Sequence, residues 1–384
     1  MKKINIPFNK PFFEKKSIQD VESSLLSGNT SGKGPYTKNC EEFLLRENNN
    51  VSGVYLSTSC THALEAAAIM LDLSGDDEVI VPSYTYTTSA LAFFMKGAKI
   101  RFCDIREDTL NIDDRLLESQ INKNTKAIVV VHYAGVSCEM DEIMKIAHKY
   151  NLSVIEDNAH GLFGKYKNKN LGSFGNFSTL SFHETKNFSC GEGGALFVRD
   201  KKDLKNADII FEKGTNRSQF VNGFVDKYSW VGKGSSYVLS DILAALLLNQ
   251  FKNSKLIQSK RKKLWDNYFE SLLSWSSENN VGLPFIPEYC EQTYHMFYLI
   301  FSKKYIRDSF INHLKSAGVS AVFHYIPLDS SKMGKKIQLK DQQKCPVSKS
   351  ISERIVRLPL YYDLSYSDQS KIINFIKNFK STNI

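Results

Sequence analysis

Residues 126–157 read KAIVVVHYAGVSCEMDEIMKIAHKYNLSVIED, and their pattern decides the fold. The first part, KAIVVVHYAG (126–135), is a nearly unbroken apolar run of strand composition, and LSVIED (152–157) is a second one. Between them EMDEIMKIAHKYN spaces its apolar residues three and four apart, which is the period of an amphipathic helix. Strands apolar on both faces, joined by such a helix, build a parallel sheet with both faces covered.

The same unit extends in both directions. GVYLS (53–57) leads into helical THALEAAAIMLDL, EVIVP (78–82) into TTSALAFFMKG, and AKIRFCDI (98–105) into DDRLLESQI. Further on come two more strand-like runs, FSTLSF (177–182) and GALFV (194–198), then helical KKDLKNADIIFEKG. A loop rich in Gly, Asn and Ser occupies about 214–236, and a long helix begins near Ser240. The remainder carries strands in TYHMFYLIF and VSAVFHYI and amphipathic helices in RDSFINHLKSAG and SDQSKIINFIKNF. The expected organisation is an extended arm over 1–14, a large α/β domain over 15–250 and a smaller α/β domain over 251–384.

With 384 residues, 42% hydrophobic and 24% charged, the chain has the composition of a soluble globular protein. No apolar run approaches the roughly 20 residues of a membrane span. MKKINIPFNKPFFEKK has no apolar h-region, so no secretory signal is expected, and the expected location is the cytoplasm. The seven cysteines (40, 60, 103, 138, 190, 290, 345) are scattered without a CxxC pair, which suits reduced thiols better than disulfides or zinc. The net charge of +9 is spread in short clusters such as KLIQSKRKK (255–263), with no nucleic-acid-binding signature. GNTSGKG (28–34) has too few residues between its glycines for a P-loop, and GEGGAL lacks the third glycine of a dinucleotide fingerprint.

Ligands of parallel α/β sheets bind at the carboxyl ends of the strands. Five segments bring reactive groups to that rim: Ser59, Cys60 and Thr61 after GVYLS; Tyr84 and Tyr86 after EVIVP; His132 after KAIVVV; Asp157, Asn158 and His160 at the end of LSVIED; and Ser181, His183 and Lys186 after FSTLSF. Lys186 stands between two strand-like runs. Its ammonium is therefore expected to be poorly solvated, with a lowered pKa and the character of an imine-forming nucleophile. A helix amino end bearing Ser and Thr is an anion site, and an aspartate can keep a pyridine nitrogen protonated. A tyrosine can stack on a heteroaromatic ring. Phosphate, pyridinium, ring and aldehyde together describe pyridoxal 5′-phosphate.

Each residue also has an ordinary reading. A lysine chosen blindly is a solvated surface charge, and Asp157 is placed to cap a helix over NAHG. His160 and His183 read alone as satisfied polar residues, Tyr86 as core, and Gly191, Gly193 and Gly194 as devices of a tight turn. The paired strand flanks of Lys186 and the serine five residues before it weigh the other way.

In their order, TSCTHAL, PSYTYTTS, EDNAH, SFHETKNFSCGEGGA and SSYVLSD resemble the DegT/DnrJ/EryC1/StrS sugar aminotransferases, which are fold-type-I pyridoxal-phosphate enzymes, over nearly the whole chain. HYAGVSCEMD (132–141), SFHETKN (181–187), EKGTNRSQF (212–220), VDKYSW (225–230) and FHYIPL (323–328) look most like the dTDP-4-amino-4,6-dideoxygalactose transaminases of surface-polysaccharide synthesis.

The resemblance implies a role for each matching residue. Lys186 would carry the cofactor covalently and shuttle the proton, and Asp157 would pair with the ring nitrogen. Tyr86 would stack on the ring, with His160 near the phenolic oxygen and His183 beside the cofactor. Ser59, Cys60, Thr61 and Ser181 would hold the phosphate. The enzyme would be a homodimer with shared active sites, using dTDP-sugar and L-glutamate. Where relatives reach the partner's phosphate with an asparagine, this chain has Ser236, and where many place a histidine after FHYIPL it has Asp329. Lys213, Arg217 and Lys227 in the long loop are candidates for the diphosphate or the glutamate carboxylates. The equatorial 4-amino epimer, a 3-amino sugar, a deoxygenating dehydratase and a non-enzymatic regulator on the same fold are the alternatives. Lys186 argues against the dehydratase, and Lys186, Asp157 and Ser181 together argue against the regulator.

Overall fold

The computed structural model describes residues 5–48 and 50–380; the first four residues of the expected arm lie outside them. The strands are β1 (Gly53–Ser57), β2 (Glu78–Pro82), β3 (Lys99–Cys103), β4 (Thr125–Val131) and β5 (Ser153–Asp157), followed by short β6 (Lys165–Tyr166) and β7 (Lys169–Asn170). After them come β8 (Phe177–Ser181), β9 (Gly194–Val198), short β10 (Cys290–Glu291), β11 (Phe297–Ile300) and β12 (Ile355–Leu358). Seven form one sheet in the order β1-β9-β8-β5-β4-β2-β3. Only β9 runs against its neighbours, pairing antiparallel with both β1 and β8. The large, mostly parallel α/β sheet expected from the sequence is thus present.

The sheet is apolar on both faces, as the sequence pattern requires. Val79, Val81, Ala127, Val129 and Ile155 turn to one side, against the helices Cys60–Met70, Thr88–Phe94 and Leu204–Phe211. The alternate residues Ile80, Ile128, Val130 and Val154 turn to the other, against the helix Met140–Tyr150. Farther along that face, Leu56, Leu180 and Phe197 pack on the helices Pro35–Glu47 and Asp241–Lys252. Ser240 caps the last of these by accepting the Leu243 N–H.

A separate core joins the helix Ser254–Glu278 to the antiparallel pair β11–β12 and to the helices Lys304–Ser316 and Tyr366–Asn378. VSAVFHYI is not the strand its composition suggests. Val319 bridges Ile6 of the N-terminal arm, whereas Val322 bridges Arg357 of β12, so its two paired residues have different partners and no ladder forms. Among the described residues no helix is long and apolar enough to cross a membrane.

Strand register sets up the rim. Ser57, Gly194 and Ser181 lie side by side at one level. Val131 lies opposite Asp157, and Asp157 opposite Thr179. Because β9 runs backwards, its first residue meets the last residues of β1 and β8.

Candidate active site

A cavity of about 580 Å³ opens at this rim. Its walls come from the carboxyl ends of the strands, from Phe8 and Asn9 of the arm, and from His295, His324, Tyr325 and Arg357 of the C-terminal part.

One end is made by the helix Cys60–Met70. Ser59 accepts the His62 N–H at 3.1 Å, so its hydroxyl caps its own helix. Cys60 and Thr61 therefore present first-turn N–H groups that have no acceptor within the helix. Burial, reinforced by the charge of Asp157, pushes the Cys60 thiol well up, so it stays protonated and its backbone is the useful part. A Cβ on Gly194 would lie 2.4 Å from the Cys60 nitrogen, so only glycine lets β9 start directly beneath this helix end. Ser181 stands beside Gly194 in the register.

Asp157 closes β5 as a buried carboxylate. The Ser89 hydroxyl donates to one oxygen at 2.6 Å and the Ala159 N–H to the other at 3.3 Å. Burial raises its pKa, while the Ser89 bond and the Lys186 charge oppose that rise. No helix follows Asp157, so it is not a helix cap. His160 is buried, with Nδ1 lacking any partner, and its ring stacks 4.2 Å from that of His295. Burial holds both imidazoles far below their ordinary pKa, and they are neutral. Asn187 accepts at His295 Nδ1 at 2.9 Å and donates to the Thr293 carbonyl at 2.8 Å, tying the residue after Lys186 to this pair. Tyr86, read alone as core, is 60% exposed on the cavity wall, its ring 6.2 Å from Tyr325.

Lys186 sits in the turn after β8, its N–H bonded to the His183 carbonyl at 2.9 Å. Burial lowers its pKa to about 8, against the countering charge of Asp157, and Arg357 depresses it further. Roughly a tenth of such an amine is neutral at pH 7. His183 lies at the rim, with Nδ1 at 2.9 Å from Thr185 Oγ1 and Nε2 3.6 Å from Glu192.

Ser59, Cys60, Thr61, Tyr86, Asp157, His160, Ser181, His183 and Lys186 all line this one cavity. The remaining candidates do not. Ser236, Lys213 and Lys227 are exposed, and Arg217 lies 3.9 Å from Glu212. Asp329 accepts the Ser83 hydroxyl at 2.6 Å, so its carboxylate secures the turn after FHYIPL to the end of β2. Ser89, Asn187, His295, His324 and Arg357 were absent from the sequence-derived set. Asn187 was within reach as the neighbour of Lys186; the two histidines and Arg357 come from segments more than 100 residues away.

Free amides at a helix end, a buried carboxylate, an aromatic wall and a desolvated amine fit pyridoxal phosphate. The unpartnered His160 Nδ1 adds a polar atom that a bound group would satisfy. The family model for DegT/DnrJ/EryC1/StrS aminotransferases matches residues 11–377. The chain belongs to that family. It is a pyridoxal-phosphate-dependent aminotransferase. It is 31% identical to the uncharacterised protein MJ1066 of Methanocaldococcus jannaschii, over 98% of each chain. To the spore coat polysaccharide biosynthesis protein SpsC of Bacillus subtilis it is 29% identical, over 97% of this chain and 96% of that one. Spr1654 of Streptococcus pneumoniae, solved in apo, PMP and PLP forms, superposes with TM-scores of 0.88–0.89 at 28% identity, covering 97% of this chain and 97–98% of the other.

Proposed function

We propose that this aminotransferase moves the amino group of L-glutamate to C4 of dTDP-4-keto-6-deoxyglucose. The product is dTDP-4-amino-4,6-dideoxygalactose for surface polysaccharide. The observation that carries amino transfer is the partly neutral amine of Lys186, facing the same cavity as buried Asp157 and the amino end of the helix Cys60–Met70.

In this reading the Cys60 and Thr61 amides and the Ser181 hydroxyl hold the cofactor phosphate, with Ser59 fixing the helix end. Asp157, steadied by Ser89, keeps a proton on the ring nitrogen. Tyr86 would cover the ring, His160 would offer its unpartnered Nδ1 to a polar group of the cofactor, and His183 would border the site. Bound there, the cofactor supplies an electron sink for the carbon that gives up its proton. Lys186 anchors the cofactor and then moves that proton between the exchanging carbons, the task of a base with a pKa near the working pH. Glutamate departs as 2-oxoglutarate, and the keto sugar takes the amine in a second half-reaction.

Sugar as the acceptor is supported by the name of SpsC, from polysaccharide biosynthesis, and by that of Spr1654, a sugar aminotransferase name. The finer choice rests on HYAGVSCEMD, SFHETKN, EKGTNRSQF, VDKYSW and FHYIPL. FHYIPL delivers His324 and Tyr325 to the cavity wall. A homodimer is supported by the loop carrying VDKYSW, where Phe220, Phe224, Tyr228 and Trp230 are exposed together. In that dimer Ser236 and the cations Lys213, Arg217 and Lys227 would serve the site of the partner subunit.

Product NMR tests the assignment. Incubation with glutamate and the keto sugar nucleotide should give an amine at C4 with a small H3–H4 coupling, the mark of an axial group. A large coupling moves the assignment to the equatorial epimer. Amination at C3, or no turnover of this ketone, overturns the substrate.

A further inference from the structure

Arg357 is a cation that the mechanism above does not use. It lies on β12 opposite Tyr298, and its backbone pairs with Val322 on the other side. Its side chain lines the cavity that holds Lys186. The Arg357 Nε is buried without a hydrogen-bond partner, and the guanidinium forms no ion pair with any described residue. Among the described residues its side chain has one specific contact, the ring of Phe8, 4.7 Å from the guanidinium carbon.

The three fully buried arginines differ from half-buried Arg357. Arg101 pairs with Glu78 and Asp341, Arg307 with Asp308, and Arg261 donates to the carbonyls of Tyr294 and His295. Arg357 is half-buried, and its buried Nε–H with nothing to bond is unfavourable; such a donor takes a partner that enters the cavity. The aromatic face of Phe8 steadies the cation without consuming its N–H donors.

The neighbourhood gives the sign and shape of that arrival. Burial first, with the charges of Lys186 and Arg357 adding, keeps His160 and His324 neutral, and of the two carboxylates lining the cavity Glu192 lies at the rim 3.6 Å from His183 and forms no ion pair with Arg357. Asp157 is engaged by Ser89 and the Ala159 N–H. The cofactor phosphate has its own donors at the amino end of the helix Cys60–Met70. A second anion is therefore expected, and it must enter with a substrate. An amino acid donor carries a carboxylate on the carbon that bears the transferred amine, whereas a 6-deoxy keto sugar has none. A planar guanidinium fork matches a planar carboxylate with two parallel N–H···O bonds.

We propose that Arg357 binds the carboxylate of the amino donor, and so selects amino acids over simple amines. This rests on the donor reading above. The test uses the holoenzyme and two ligands, each titrated without sugar: L-glutamate, followed by the cofactor absorbance change, and glutarate, followed by calorimetry. In Arg357→Gln both dissociation constants should rise about 10- to 100-fold, the size of losing one charge-assisted pair. Arg357→Lys, which keeps the charge and loses the fork, should recover part of that loss. The affinity for the keto sugar nucleotide should not change. Equal glutarate affinity in wild type and Arg357→Gln overturns the proposal, as does a loss confined to the sugar nucleotide, which would assign Arg357 to the diphosphate. Wild-type protein that gives no absorbance change with glutamate would sink the proposed donor instead, and the glutarate comparison would still judge Arg357.

Discussion

The cavity at the strand ends and the loop over 214–236 are opposites in solvation. In the cavity polar groups are withdrawn from water: Asp157 and His160 are buried, and Lys186 is desolvated enough to titrate near 8. In the loop apolar groups stand in water, with Trp230 83% and Phe224 78% exposed. Both arrangements are unfavourable in an isolated chain, and each points to what relieves it. Desolvated polar groups match a cofactor and a substrate; exposed aromatics match another protein surface. The cofactor candidates other than Ser236 thus line one cavity within one chain, while Ser236 and the loop cations that the sequence suggests for the substrate lie outside it.

Three substitutions would break or sharpen that contrast. The largest effect is expected from Lys186→Ala, which removes both the anchor and the proton carrier and should lower turnover by about 10³-fold or more. Normal turnover in that variant would end the cavity's claim to the chemistry. Next comes complementation. Lys186→Ala chains mixed with chains altered around Ser236 should regain about a quarter of wild-type activity, since random pairing makes half the dimers hybrid and each hybrid has one intact site. A fully active monomer at assay concentration would show that the loop serves no partner. The smallest effect is that of Gly194→Ala, whose Cβ would press on the Cys60 nitrogen. Displacing the helix end should weaken cofactor affinity by roughly 10-fold, within the usual cost of overpacking. Unchanged cofactor affinity would mean that the first turn of that helix does not hold the phosphate.

The fold was largely legible because the central strands are buried on both faces. EVIVP and KAIVVV have no choice but to read as continuous apolar runs, and all five residues of β2 are buried. VSAVFHYI failed for the converse reason. Its apolar residues are held by two unrelated neighbours, Ile6 and Arg357, and nothing local distinguishes that from one ladder. In the site, residues that follow a strand end were readable, since topology alone sends them to the rim. His295, His324 and Arg357 were not, because each reaches the cavity from the C-terminal core, and only tertiary packing brings it there. A lone histidine or arginine carries no mark of that destination. Lys186, like Asp157 at the end of β5, was readable although it is charged. Two strands five residues long flank it, and the burial they impose is what lowers its pKa.

That lysine is the centre of the account, and one measurement addresses it directly. The purified holoenzyme, reduced with borohydride and digested, should yield a single pyridoxyl-modified peptide, SFHETKNF, with the added mass on Lys186, and the visible absorbance of the cofactor should vanish on reduction. The modified group on any other lysine, or a protein that binds no pyridoxal phosphate and yields no such peptide, would contradict the account.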